Sequence, residues 1–240
     1  MATAAVTAAA VPVAPPEASP ARRALRRLVR RRGAMMGLAL VVFFVLMAIL
    51  APWISPHDPL ATSWSMVRKP PAAGYWFGTD EIGRDVLSRV IWGTRASLLA
   101  GVVSVSIALG IAATPVVIRL PRAQVLAVKV EDYVEAARAV GNSHLRIALR
   151  HILPNIVAPL IVQATLAIAA AIIAEASLSF LGLGQQPPAP SWGSMLNTAK
   201  NYVENAPWMA VWPGLSIFLL VLSFNLLGDG LRDALDPRHG

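Results

Sequence analysis

The sequence predicts an all-α fold, a polytopic bundle of about four transmembrane helices with both termini in the cytoplasm. Three observations carry this. Hydrophobic residues make up 56% of the 240 positions and charged residues only 14%, against about 45–50% and 25% in soluble domains. Four uncharged runs are long enough to span a bilayer. Basic residues and tryptophans then sort to opposite sides of those runs.

The first run, Met35–Ile54, has twenty residues without a charge, which at about 1.5 Å per helical residue crosses a hydrocarbon core of about 30 Å. It is too long for a signal-peptide core, and the Pro52-Trp53-Ile54-Ser55-Pro56 that follows lacks a small-x-small cleavage site. It is therefore expected to stay as an anchor. The second run is Ala96–Ile118, interrupted by Gly101, Gly110 and Pro115. The third, Ile152–Ala174, contains Pro154, Asn155 and Gln163, and Glu175 is the only charge between His151 and Ala199. The last is Trp208–Leu227, with a kink expected at Pro213-Gly214.

The expected organisation is a disordered basic cytoplasmic tail (1–33), a span (34–54), an external region (55–95) and a second span (96–118). A cytoplasmic loop (119–153), a third span (154–176), an external region (177–207), a fourth span (208–228) and a cytoplasmic tail (229–240) complete it. Fifteen of the 21 basic residues then lie inside, as the positive-inside rule requires. Seven of them, Arg22, Arg23, Arg26, Arg27, Arg30, Arg31 and Arg32, directly precede the first span. All seven tryptophans, Trp53, Trp64, Trp76, Trp92, Trp192, Trp208 and Trp212, fall on outer loops or outer span ends, where an amphipathic ring favours the interface.

The net charge of +8 is accounted for by this topology rather than by nucleic acid. No lysine follows a glycine, because Lys69, Lys129 and Lys200 are the only three, so the chain has no Gly-Lys-Ser/Thr phosphate loop. ATP hydrolysis is therefore expected in a partner. The dispersed His57, His144, His151 and His239 offer no metal site, and no catalytic constellation or cofactor motif is present. With no cysteine, disulfide and thiol chemistry are excluded. Glu175 stands at the outer end of the third span. It reads either as a snorkelling interfacial acid or as part of a translocation path or subunit contact.

The inner loop reads Glu135-Ala136-Ala137-Arg138-Ala139-Val140-Gly141, nine residues, then His151-Ile152-Leu153-Pro154. This predicts a helix ended by a glycine in a left-handed turn, then a second helix running to a proline at the membrane entry. Small Ala136 and Ala137 would let another protein approach closely. The loop is either an ordinary amphipathic hairpin or a docking element that passes force into the third span.

The pattern Glu-Ala-Ala-x3-Gly with its Leu153-Pro154 ending resembles the coupling loop of permeases in ATP-binding-cassette importers. Four further stretches resemble the C-type permease of the dipeptide/oligopeptide/nickel group: Gly78–Arg89, Ala174–Gly184, Pro190–Gly193 and Gly228–Pro237. The resemblance covers nearly everything from 35 to 238. It implies a permease subunit in a bacterial inner membrane that moves small peptides or related solutes. It also implies two ATP-hydrolysing cassette subunits, a second permease, an external solute-binding protein and the surrounding lipid bilayer as partners. Glu135, Ala136, Ala137, Gly141, Leu153 and Pro154 would form the coupling site.

Six spans are the family pattern, and here a block is missing near Ala113–Pro115. The run before it resembles the start of the family's second span, and the run after it the end of the fourth. Two spans would be gone and two half-helices fused. The family's path uses the missing helices, so the pore lining stays open. A truncated, transport-incompetent remnant or membrane docking module is the alternative.

Overall fold

The computed structural model describes residues 28–110 and 114–235, and their side chains except for 104–121, 155 and 158. Among the described residues every regular element is helical: α1 (Arg32–Ile54), α2 (Val86–Gly110), α3 (Thr114–Lys129), α4 (Asp132–Ala139), α5 (His144–Ile147), α6 (Leu153–Phe180), α7 (Trp192–Ala199) and α8 (Trp208–Leu235). Four helices are long and apolar enough to cross a membrane, over Arg32–Ile54, Val86–Val103, Pro159–Phe180 and Trp208–Leu235. Much of the expected 1–33 tail, and the fusion expected at Ala113–Pro115 where it meets 111–113, lie outside the described residues.

Helix α8 is the spine, with α1 along one side and α6 along another. Its buried residues Met209, Pro213, Ser216, Leu220, Phe224 and Gly228 recur every three to four positions, which draws one continuous stripe along a helix. In lipid, helices associate by close backbone approach, so small residues mark the seams. A Cβ at Gly230 would sit 2.2 Å from the Ala34 Cβ, and one at Gly37 would sit 2.7 Å from the Leu227 nitrogen. These pairs set α1 antiparallel to α8. A Cβ at Gly228 would instead meet Thr165 Oγ1 of α6 at 2.7 Å. The two glycines of Gly228-Asp229-Gly230 thus serve two different neighbours. At the same end of the bundle Arg31 Nη1 pairs with Asp233 Oδ2. We call this the arginine end and the opposite one the tryptophan end.

The second span starts earlier than the uncharged run that predicts it. Helix α2 begins at Val86, so Arg89 and Arg95 lie within it, not in the loop. Asp85 begins the helix: its carboxylate accepts from Leu87 N, from Ser88 N and, at 2.6 Å, from Ser88 Oγ, which satisfies first-turn donors. Buried Arg89 is neutralised locally, with Nε 3.5 Å from Asp80 Oδ2 and Nη1 donating to the Pro59 carbonyl. A charge count along the sequence cannot see that pairing. Helix α6 likewise runs four residues past the expected end at 176, to Phe180.

The loop between α1 and α2 folds onto the tryptophan end. Arg84 Nε donates to Asp80 Oδ2 at 2.6 Å and Nη2 to Glu81 Oε1 at 2.7 Å. Gly83, at φ +81°, is required twice over, because a Cβ there would lie 1.9 Å from the Ser63 carbonyl oxygen. Trp208 Nε1 donates to the Thr79 carbonyl at 3.1 Å, and Phe77 stacks on Trp212 with centroids 3.8 Å apart. Helix α7 closes the end. Its capping box is Ser191 with Ser194, and its fully buried Trp192 packs into a core with Phe44, Val90, Ile172 and Leu220.

Candidate functional site

The hairpin between α3 and α6 lies at the arginine end. Its first helix, α4, carries Asp132 and Glu135 in the first turn and Arg138 in the last, each placed to complement the helix dipole. The helix stops at Gly141, whose φ is +83°. Gly141 N donates to the Arg138 carbonyl at 3.0 Å and Asn142 N to the Ala137 carbonyl at 3.3 Å. This is the paired-bond ending that only a left-handed residue permits at low cost. Asn142 Nδ2 adds a second bond to the same Ala137 oxygen. Ser143 then caps α5 by accepting from Arg146 N.

A small core holds the two helices together: Val134, Ala137 and Ile147, with Val128 and Ile152 against them. The six residues of the expected coupling site therefore divide. Ala137 faces inward and closes the hairpin, whereas Glu135, Ala136 and Gly141 are exposed on its surface. Leu153 and Pro154 are exposed at the base of α6. Pro154 stands in the first turn of α6, though the helical path is not interrupted before it. The chain continues from α5 through a single wide turn, Ala148–Ile152, into α6. A widened turn accommodates the ring of a nearby proline and its missing N–H.

The surface also carries large apolar side chains that the motif does not include. Val140 is 83% exposed, Val130 71%, Leu145 70% and Leu149 57%. Leu145 and Leu149 are four residues apart, which on a helix stacks them on one face. The sequence signal for them is an apolar pair inside a loop otherwise rich in charge.

The other singled-out residue, Glu175, is on α6 near the tryptophan end. Its Oε1 accepts from Ser179 Oγ at 2.7 Å, and its Oε2 is buried with no hydrogen-bond partner. It is not brought near the hairpin.

The profile of the family described as binding-protein-dependent transport system inner membrane component matches residues 22–239. The chain belongs to this family. It is 36% identical over 260 residues to the dipeptide transport system permease protein DppC of Alkalihalophilus pseudofirmus, with 85% of this chain and 86% of the relative covered. It is 39% identical over 266 residues to the di/tripeptide transport system permease protein DppC of Pseudomonas aeruginosa, covering 85% and 88%. It is 38% identical over 261 residues to the glutathione transport system permease protein GsiD of Escherichia coli, covering 85% and 86%. The chain is thus a multi-pass membrane permease of an ATP-binding-cassette importer, and not itself the ATPase. A match of this extent does not favour the remnant alternative.

Proposed function

We propose that this permease subunit carries small peptides or related solutes across a bacterial inner membrane, with the arginine end in the cytoplasm. Its partners in this reading are two ATP-hydrolysing cassette subunits, a second permease and an external solute-binding protein. The cargo is supported by the relatives' names, which specify dipeptides, di- and tripeptides and glutathione. The observation that carries the mechanism is the continuity of the α4–α5 hairpin with α6 through one wide turn.

In the coupling step, the cassette receives the exposed row of Val140, Leu145 and Leu149, with Glu135 and Ala136 beside it and Leu153-Pro154 at the base of the lever. Cassette closure on ATP displaces the hairpin as a unit, because Val134, Ala137 and Ile147 lock its helices together. The displacement passes into α6 and rocks it against α8, a rigid-body form of alternating access. The outer loop and the segment around α7 face the solute-binding protein. Glu175 belongs to the path or to a subunit contact.

Relative to the six-span pattern this chain lacks an internal block near Ala113–Pro115. Support comes from alignment length: the shared stretches of 260 to 266 residues exceed the 240 residues of this chain, so the relatives carry positions with no counterpart in it. Resequencing the gene tests this directly, and recovery of two further apolar segments at that point would remove it.

The function is tested by uptake of a labelled dipeptide in cells expressing the complete transporter, with wild-type chain or with Glu135→Arg plus Gly141→Pro. Co-purification of the cassette is followed in parallel. Uptake with the wild type and loss of both uptake and cassette association in the variant is expected. Uptake that is unchanged when the chain is deleted would overturn the reading.

A further inference from the structure

We propose that the rim of the α1–α2 loop around Leu60 and Trp76 is seated in the bilayer interface at the tryptophan end, with phospholipid as its partner. The proposal uses the membrane location of the chain and is independent of its cargo.

The depth of the rim is set by what the chain does after α1. That helix ends at Ile54, with Ser55 as its cap. Ser55 Oγ then donates to the His57 carbonyl at 2.7 Å, and His57 N donates to Ser88 Oγ at 3.0 Å. Ser88 belongs to the first turn of α2. Arg89, the next residue of that helix, donates from Nη1 to the Pro59 carbonyl at 3.2 Å. Residues 55–60 are therefore held beside the start of α2, level with the ends of two spans. Leu60 is exposed there.

The second half of the loop returns to the same depth. The Tyr75 ring stacks on His57, with centroids 4.7 Å apart and planes 5° from parallel. Phe77 stacks on Trp212, which lies one turn inside α8. Trp76 stands between these two anchors. With both neighbours half-buried against protein, its own indole is left 69% exposed.

Continuity with the surface of α1 commits the occupant. Its exposed Phe43, Leu46, Leu50 and Trp53 recur every three to four residues, which makes one stripe along a helix. In a helix apolar enough to cross a membrane, that stripe faces lipid. Trp53 closes it at the tryptophan end, and Leu60 and Trp76 carry exposed apolar surface on past the helix end at the same level. Asp58, the acid in this part of the rim, is occupied as the acceptor of Leu60 N at 2.8 Å. An indole combines a large apolar body with one N–H donor, which suits the headgroup boundary better than either water or hydrocarbon. Lipid covers these side chains without any further protein. A receptor would then use the rest of the loop rather than this rim.

The test exploits a chain that has no cysteine. Leu60→Cys, Trp76→Cys, Phe43→Cys and Val140→Cys each take one nitroxide label, in the full chain reconstituted into vesicles of phosphatidylethanolamine and phosphatidylglycerol. Electron paramagnetic resonance compares collisions with oxygen, which concentrates among acyl chains, and with a nickel chelate confined to water. The oxygen-to-nickel ratio at 60 and 76 should exceed that at 140, on the hairpin, and fall below that at 43, within α1. A ratio at 60 and 76 equal to that at 140 would overturn the proposal. The same ratio with nickel access lost only on adding the solute-binding protein would overturn it in favour of a receptor surface. Trp76→Phe supplies a second reading that keeps the rim apolar. In vesicles of lipid brominated on the acyl chain, a smaller share of its tryptophan fluorescence should be quenched than in the wild type. An equal or larger share would count against the proposal, and this comparison decides if the labelled variants aggregate.

Discussion

The indole Nε1 of Trp192 donates to the main-chain carbonyl of Val90 at 2.9 Å, joining residues 102 positions apart. The bond holds the start of α7 against α2, at a place where Gly93 leaves room for the ring. A Cβ on Gly93 would be 2.9 Å from Trp192 Cδ1. Phe44 of α1 meets the same indole edge-on, with centroids 5.7 Å apart. One side chain thus ties three helices at the tryptophan end. Trp192→Phe removes the donor and part of the volume and should cost about 2–3 kcal/mol, seen as a lower midpoint of thermal unfolding in detergent. Gly93→Ala should destabilise through the same contact, by crowding.

Exposed Leu145 and Leu149 make no contribution to the hairpin core of Val134, Ala137 and Ile147. Replacing both with Ser should therefore leave the chain inserted and stable. Binding of the cassette should weaken by about 2–4 kcal/mol if the pair is buried there. Pull-down of the cassette against detergent stability separates the two effects. Val134→Ser, which opens the hairpin core, should lose both.

The α1–α8 seam depends on Gly230 and Ala34. Gly230→Val would drive a branched side chain into a space where a single Cβ would already lie 2.2 Å from the Ala34 Cβ. Overfilling should cost about 1–3 kcal/mol or more, read as polydispersity on size exclusion and faster proteolysis at the arginine end. Gly74, where a Cβ would meet nothing within 4 Å, is the comparison site. Its φ of +90° limits the substitution there to Asn.

Burial pushes the Glu81 carboxyl above its ordinary value of 4.5, and neighbouring Asp80 adds to the rise. Its own main-chain hydrogen bond, Arg84 and Arg89 oppose it. A raised folded-state value means that the folded chain holds this proton more tightly than the unfolded one. Its stabilising contribution is full below pH 4.5 and is lost as pH rises through the shifted value. Glu81→Gln keeps an oxygen for the Arg84 bond and removes the charge. The melting temperature of the variant minus that of the wild type should therefore grow between pH 4.5 and 7, measured by differential scanning fluorimetry. A difference that shrinks over that range would contradict the assignment.

The turn that ends α4 was legible in the sequence. Gly141 after a helical run predicts a left-handed ending, because so few residue types tolerate that turn, and the structure has it. Legibility failed where an effect depends on a distant partner. Ala136 and Ala137 are adjacent and equally small, yet Ile147 across the hairpin buries one and leaves the other exposed. The seven tryptophans give the same lesson. Trp53, Trp64 and Trp76 are exposed at the rim, but Trp192 is at the same end because it fills a core.

The sequence alone determined that this chain crosses a membrane on about four helices, and which end carries the arginines. Those properties follow from run length, charge and residue type, which are local and additive along the chain. Its tertiary structure decided where α2 begins, since Arg89 enters the helix with Asp80 balancing its charge and the Pro59 carbonyl accepting a hydrogen bond from it. It also decided which glycine of Gly228-Asp229-Gly230 meets α6 and which meets α1. Close approach between helices is a property of pairs of surfaces, and no single segment of sequence contains both.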